Sequence, residues 1–116
     1  MSVLVTGGVG YVGSHTVKLL MERGEDVICL DSLLFGHPEA GSGSKLVVGD
    51  IGDKELLREI FTENKIDAVI HFAALADVGE SVALPHKYYI TNVAKSLALL
   101  EVMLEFDIKR MIFSSS

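Results

Sequence analysis

Val5-Thr6-Gly7-Gly8-Val9-Gly10-Tyr11-Val12-Gly13 is the stretch on which the reading of this chain turns. Gly8, Gly10 and Gly13 match G-x-G-x-x-G, and Gly7, Gly10 and Gly13 give an overlapping G-x-x-G-x-x-G. Glycine turns are common, so the pattern alone is weak. Here it sits between a short apolar strand at residues 2–6 and a helical pattern running to about residue 23, the context that gives it meaning. The chemistry demands small residues. One glycine permits the tight turn, one lets the backbone approach a pyrophosphate, and one lets helix pack close to strand. Free amides at the helix start and the helix dipole then favour phosphate. The plain alternative is a turn whose glycines serve packing only.

Working outward, Val12, Val17, Leu20 and Met21 share one helical face, and Gly24 stops that helix. A second strand, Val27-Ile28-Cys29-Leu30, ends at Asp31. Residues 32–44 hold Gly36, Pro38, Gly41 and Gly43 and read as a loop. A third short strand lies within residues 45–49. Asp53 caps a helix to about residue 63, with Leu56, Leu57, Ile60 and Phe61 apolar. A fourth strand follows at residues 67–72, then a long helix from Pro85 to about residue 106, then a fifth strand within residues 109–114. The strands are continuous apolar runs, the pattern of parallel strands covered on both faces. The expected fold is α/β, a Rossmann-like doubly wound parallel sheet with five strands in order 3-2-1-4-5. No repeat, low-complexity tract or linker interrupts it, so residues 1–116 read as one dinucleotide-binding domain.

The chain has 116 residues and is 49% apolar, enough for one buried core and too short for two domains. Ten basic against sixteen acidic side chains give −6. That balance argues against nucleic acid or an anionic membrane as partner, yet one phosphate ligand can be held by backbone amides. No uncharged stretch is long enough to cross a bilayer, and no basic signal segment opens the sequence. Cys29 is the single cysteine, which excludes an internal disulfide and fits a reducing compartment, so the cytoplasm is expected. The sequence stops at Ser114-Ser115-Ser116 directly after an apolar run, as expected of a fragment truncated after strand five.

Asp31 follows Gly13 by 18 positions. A carboxylate at this strand end accepts hydrogen bonds from a ribose diol and repels a 2′-phosphate, and no arginine follows in residues 32–35. NAD is therefore expected over NADP. A strand-end aspartate capping a turn is the simpler reading of that residue alone. No G-x-x-x-x-G-K-[ST] occurs, which disfavours nucleotide hydrolysis. His15, His37, His71 and His86 lack metal-ligand spacing, and no metal is expected. His71, in an apolar strand, reads as a satisfied core histidine rather than a base. Glu101 and Glu105 read as one solvated helix face.

Taken together, Val5 to His15, Gly49-Asp50-Ile51, His71-Phe72-Ala73-Ala74-Leu75, Val78-Gly79-Glu80-Ser81, Tyr88-Tyr89, Asn92-Val93 and Phe113-Ser114-Ser115-Ser116 resemble the UDP-glucose 4-epimerases. These belong to the extended short-chain dehydrogenase/reductase group of NAD-dependent epimerases and dehydratases. The likeness spans nearly the whole chain in the same order, and residues 71–81 are its most specific part. It implies that Tyr11 and Val12 meet the pyrophosphate, with Gly7, Gly10 and Gly13 also at the cofactor, and that Asp31 and Ser32 meet the adenosine ribose. It implies that Asp50 and Ile51 flank the adenine, and that Phe72, Ala73, Ala74, Leu75 and Ala76 line the cofactor. Asn92 would also lie near it. Ser116 would be catalytic, bonding the reacting sugar hydroxyl. Read without the resemblance, Asp50 is a turn aspartate before Gly52, and Asn92 is a helix residue bonding nearby backbone.

The chain departs from the family pattern in places. Ser32 stands where the family has asparagine, and Ala76 stands where it commonly has lysine, with Asp77 beside it. Lys95 replaces a small glycine in the long helix, and Ile90 replaces a residue that is usually acidic. The resemblance also implies a reaction. A tyrosine of a Tyr-x-x-x-Lys motif, its pKa lowered by the lysine, takes the proton of the sugar 4-hydroxyl. Hydride passes from C4 to NAD, the 4-keto sugar turns over, and hydride returns to its other face. UDP-glucose and UDP-galactose are thereby interconverted, with a UDP-sugar as substrate. This chain has only Tyr11, Tyr88 and Tyr89 and no Tyr-x-x-x-Lys, so these 116 residues alone are expected to be inactive. Another nucleotide-sugar epimerase, a 4,6-dehydratase and a non-catalytic NAD-binding regulatory module remain alternatives. Tyr89, Ile90, Val93, Leu97, Leu100, Met103 and Leu104 form an apolar stripe, widened by Leu99, Val102 and Phe106. That exceeds the one face a sheet-packed helix needs. With the resemblance it implies a homodimer through the helix at about residues 85–106.

Overall fold

The computed structural model describes residues 1–7, 11–31, 45–72 and 90–113. Strand β1 (Ser2–Thr6) lies at the centre, parallel to β2 (Asp26–Asp31) on one side and β4 (Ala68–His71) on the other. Strand β3 (Lys45–Val48) flanks β2 and β5 (Met111–Phe113) flanks β4. The order is β3-β2-β1-β4-β5, as expected. The apolar runs of β1 and β2 are continuous because both faces are covered, and Val3, Leu4, Val5, Val27, Ile28, Cys29 and Leu30 are all buried. Val48, Ile112 and Phe113, on the flanking strands, are exposed.

Helix α1 (Tyr11–Glu22) covers one face of the sheet, where Val17 packs with Val3, Val5, Val27 and Cys29. It ends as the sequence predicts. Gly24 takes φ +82°, its amide bonds the Met21 carbonyl, and the Glu25 amide bonds the Leu20 carbonyl. That paired pattern closes a helix with a left-handed residue. Helices α2 (Lys54–Glu63) and α3 (Ser96–Glu105) cover the other face over Leu4, Ile28, Leu30 and Val69. Asp53 caps α2, its side chain accepting the Leu56 amide at 3.2 Å. Ion pairs lace the exposed seam between these helices. Lys54 meets Glu101, and the Arg58 Nε lies 2.9 Å from the Glu105 Oε1. Glu101 and Glu105 are exposed as expected, but each faces a cation of α2 rather than forming a bare acidic face.

The long helix differs from the expectation of one continuous α-helix. Residues 85–89 lie outside the described residues, and Ile90–Lys95 winds as a π-helix that runs into α3. A π turn takes up an extra residue, which a count at 3.6 per turn does not register. The helix is apolar on two sides, as its composition suggests. Ala98, Leu99, Val102 and Met103 enter the core, whereas Val93, Leu97, Leu100 and Leu104 are exposed.

Candidate functional site

The ends of β1, β2, β3 and β4 meet along one edge of the sheet, where ligands of doubly wound folds bind. At the end of β1, Thr6 is fully buried and Gly7 turns the chain away with φ +74°. A side chain at Gly7 would strain that turn. The Gly7 amide still bonds the Leu30 carbonyl at 2.8 Å, so the turn begins directly at the sheet edge. Helix α1 starts at Tyr11, and the first amides of an α-helix find no acceptor within the helix itself. Gly13 is buried, as a residue at close helix–sheet packing must be.

Next along the edge, Asp31 ends β2 with 9% of its surface exposed. Its carbonyl accepts the Gly49 amide at 3.0 Å, which ties the turn after β3 to the end of β2. Asp50 in that turn accepts the Gly52 amide on Oδ1 at 2.8 Å and the Lys95 ammonium on Oδ2 at 2.7 Å. Partial burial raises the Asp50 pKa. The Lys95 hydrogen bond, the Gly52 amide and the Lys95 charge outweigh it and hold the carboxyl below its usual value. Ile51 beside it is buried in the core and anchors the turn.

On the other side of β1, the Phe72 amide donates to the Thr6 carbonyl at 2.8 Å and to the Thr6 hydroxyl at 3.1 Å. The Thr6 hydroxyl also meets His71 Nδ1 at 2.6 Å, and His71 Nε2 meets the Ser96 hydroxyl at 3.0 Å. His71 is 2% exposed, and burial lowers its pKa to about 4, so the ring is neutral at neutral pH. The Phe113 ring lies 5.2 Å away. The satisfied core histidine expected from the sequence is thus a link joining β1, β4 and α3 directly behind the edge. Its partners Thr6 and Ser96, and the Lys95–Asp50 pair, are what reading along the sequence missed.

The structure therefore brings Gly7, Gly13, Asp31, Asp50, Ile51 and Phe72 to one edge. Tyr11, Val12 and Asn92 lie in described helical backbone, but their side chains are outside the described residues, as are Gly10, Ser32, Ala73, Ala74, Leu75, Ala76 and Ser116. Among the described residues, no group of three or more His, Cys, Asp or Glu could hold a metal ion. Nor is any helix among them long and apolar enough to cross a membrane.

Residues 3–116 match the model of the NAD dependent epimerase/dehydratase family. The whole chain is 54% identical to 35% of a UDP-glucose 4-epimerase of Halalkalibacterium halodurans. A UDP-glucose 4-epimerase of Bifidobacterium longum, solved in complex with NAD+ and UDP, superposes with a TM-score of 0.94 at 44% identity, over 100% of this chain and 37% of that one. A UDP-glucose 4-epimerase of Brucella ovis in complex with NAD gives a TM-score of 0.94 at 45% identity, over 98% of this chain and 35% of that one. The chain spans about a third of the length of the curated relatives it matches.

Proposed function

The chain belongs to the NAD dependent epimerase/dehydratase family, and from that premise we propose that residues 1–116 form the NAD-binding part of a UDP-glucose 4-epimerase. The observation that carries the cofactor reading is the buried carboxylate of Asp31 at the end of β2, beside the left-handed turn at Gly7. The edge fits a dinucleotide in order. Gly7, Gly10 and the first-turn amides of Tyr11, Val12 and Gly13 hold the pyrophosphate. Asp31 and Ser32 take the adenosine ribose, and Asp50 and Ile51 take the adenine. Phe72, Ala73, Ala74, Leu75, Ala76 and Asn92 line the remainder. When bound, NAD supplies a reversible hydride acceptor for C4 of the sugar. Ser116 bonds the reacting hydroxyl of the UDP-sugar. These residues contain no Tyr-x-x-x-Lys, so alone they bind the cofactor without turnover.

The purified 116-residue chain, given NAD and UDP-galactose, is expected to bind NAD saturably and to form no UDP-glucose. Failure to bind NAD overturns the cofactor assignment, and formation of UDP-glucose overturns the inactivity of these residues. We further propose that the exposed Val93, Leu97, Leu100 and Leu104 meet the same face of a second copy. Sedimentation velocity then finds a dimer that Leu100→Lys dissociates, and a monomeric parent contradicts that pairing.

A further inference from the structure

Lys95 joins two parts of the molecule that are 45 residues apart in sequence. It stands where the π turn meets α3, and its ammonium bonds the Asp50 carboxylate in the turn between β3 and α2. Its stem lies close over Gly52, where an added Cβ would come within 3.1 Å of the Lys95 Cγ and 3.3 Å of the Asp50 Oδ1. Asp50 is thereby gripped from two sides, one oxygen by the Gly52 amide and the other by Lys95. The carboxylate is still half-exposed, and a carboxylate oxygen that holds one donor can accept a second.

The place of Asp50 along the edge says which donor. Gly49 is bonded to Asp31, so Asp50 lies just beyond the ribose-binding carboxylate on the side away from β1. With phosphate at the end of β1 and ribose at the end of β2, the group beyond is the base. A fixed, ionised carboxylate accepts from an amino group and is repelled by a carbonyl oxygen. We propose that Lys95 is a positioning residue that aims the Asp50 carboxylate at the exocyclic amine of an aminopurine, making the site selective for adenine over hypoxanthine. This rests on the reading of Asp50 as the adenine contact. The competing role is structural, since Lys54–Glu101 and Arg58–Glu105 continue the same seam and Lys95 could be a third rung of it.

The test compares binding of NAD and of nicotinamide hypoxanthine dinucleotide, in which a 6-oxo group replaces that amine and N1 carries a proton. The parent protein prefers NAD by about tenfold, the size of one charge-assisted hydrogen bond. Lys95→Ala and Lys95→Gln bring the two affinities to within about twofold by weakening NAD alone, and Lys95→Arg restores the preference. Equal weakening of both ligands overturns the positioning role in favour of the structural one. No preference in the parent, with NAD still bound, overturns the aim at the amine. No binding of NAD at all overturns the cofactor assignment on which the proposal stands.

Discussion

The fully buried centre of the face under α1 is made of small and β-branched side chains, Val3, Val5, Val17, Val27 and Cys29, with the larger Leu20, Met21, Leu46, Ile70 and Phe72 half-buried around it. The face under α2 and α3 is built from large ones, among them Leu4, Ile28, Leu30, Leu57, Phe61, Leu99 and Met103. The difference separates two tasks. Gly13 in the first turn of α1 is buried, and small side chains form the centre of the face that α1 covers. The larger set of buried side chains on the opposite face contributes more of the apolar burial.

If that division is right, truncations on the two faces differ in cost. Leu99→Ala or Leu57→Ala leaves a cavity under α2 and α3 and is expected to cost about 2–5 kcal/mol in urea unfolding. Val17→Ala removes less surface and is expected to cost about 1.5 kcal/mol. Equal losses would erase the distinction.

His71 and its partner Thr6 are buried polar side chains on the large-residue side, with His71 held between Thr6 and Ser96. Its pKa is about 4 when folded and about 6.5 when unfolded. Below pH 6.5 the unfolded chain takes up a proton that the folded chain refuses. Its contribution to stability is therefore complete above pH 6.5 and falls as pH drops towards 4, by about 3 kcal/mol in all. Urea titrations across that range read the slope, and His71→Gln should flatten it. An unchanged slope in the variant would assign the acid sensitivity to other groups.

The two faces also differ at their helix ends. Gly24 closes α1 in the left-handed region, whereas Asp107 closes α3 there with φ +57°. The bonding is the same, with the Asp107 amide on the Leu104 carbonyl and the Ile108 amide on the Met103 carbonyl. Asp107→Gly is expected to raise stability by about 1 kcal/mol, the strain a side chain carries in that region. A loss of stability would show that Asp107 contributes more through its side chain than its backbone costs.

Local signals account for what was legible in the sequence. The runs at Val3 to Thr6 and Val27 to Leu30 announce buried parallel strands, Gly24 ends a helix, Asp53 begins one, and Asp31 falls at a strand end. Each is a property of a few consecutive residues. The Thr6–His71 bond spans 65 positions, the His71–Ser96 bond 25 and the Lys95–Asp50 bond 45. Such pairs exist only after the sheet has assembled, and no periodicity encodes them. The π winding at Ile90–Lys95 escaped for a related reason. Its residues, ITNVAK, carry no glycine or proline to mark a change of pitch. Nor could the count of apolar residues on α3 say which of its two apolar sides would enter the core.

The proposed cofactor choice rests on the carboxylate at the end of β2. Calorimetric titration of the protein with NAD and with NADP tests it most directly. Asp31 should make NAD the tighter ligand by at least about tenfold, since a 2′-phosphate would meet a buried negative charge. Asp31→Asn should narrow that gap. NADP binding as tightly as NAD, or more tightly, would contradict the role of Asp31 and the order of the dinucleotide along the edge.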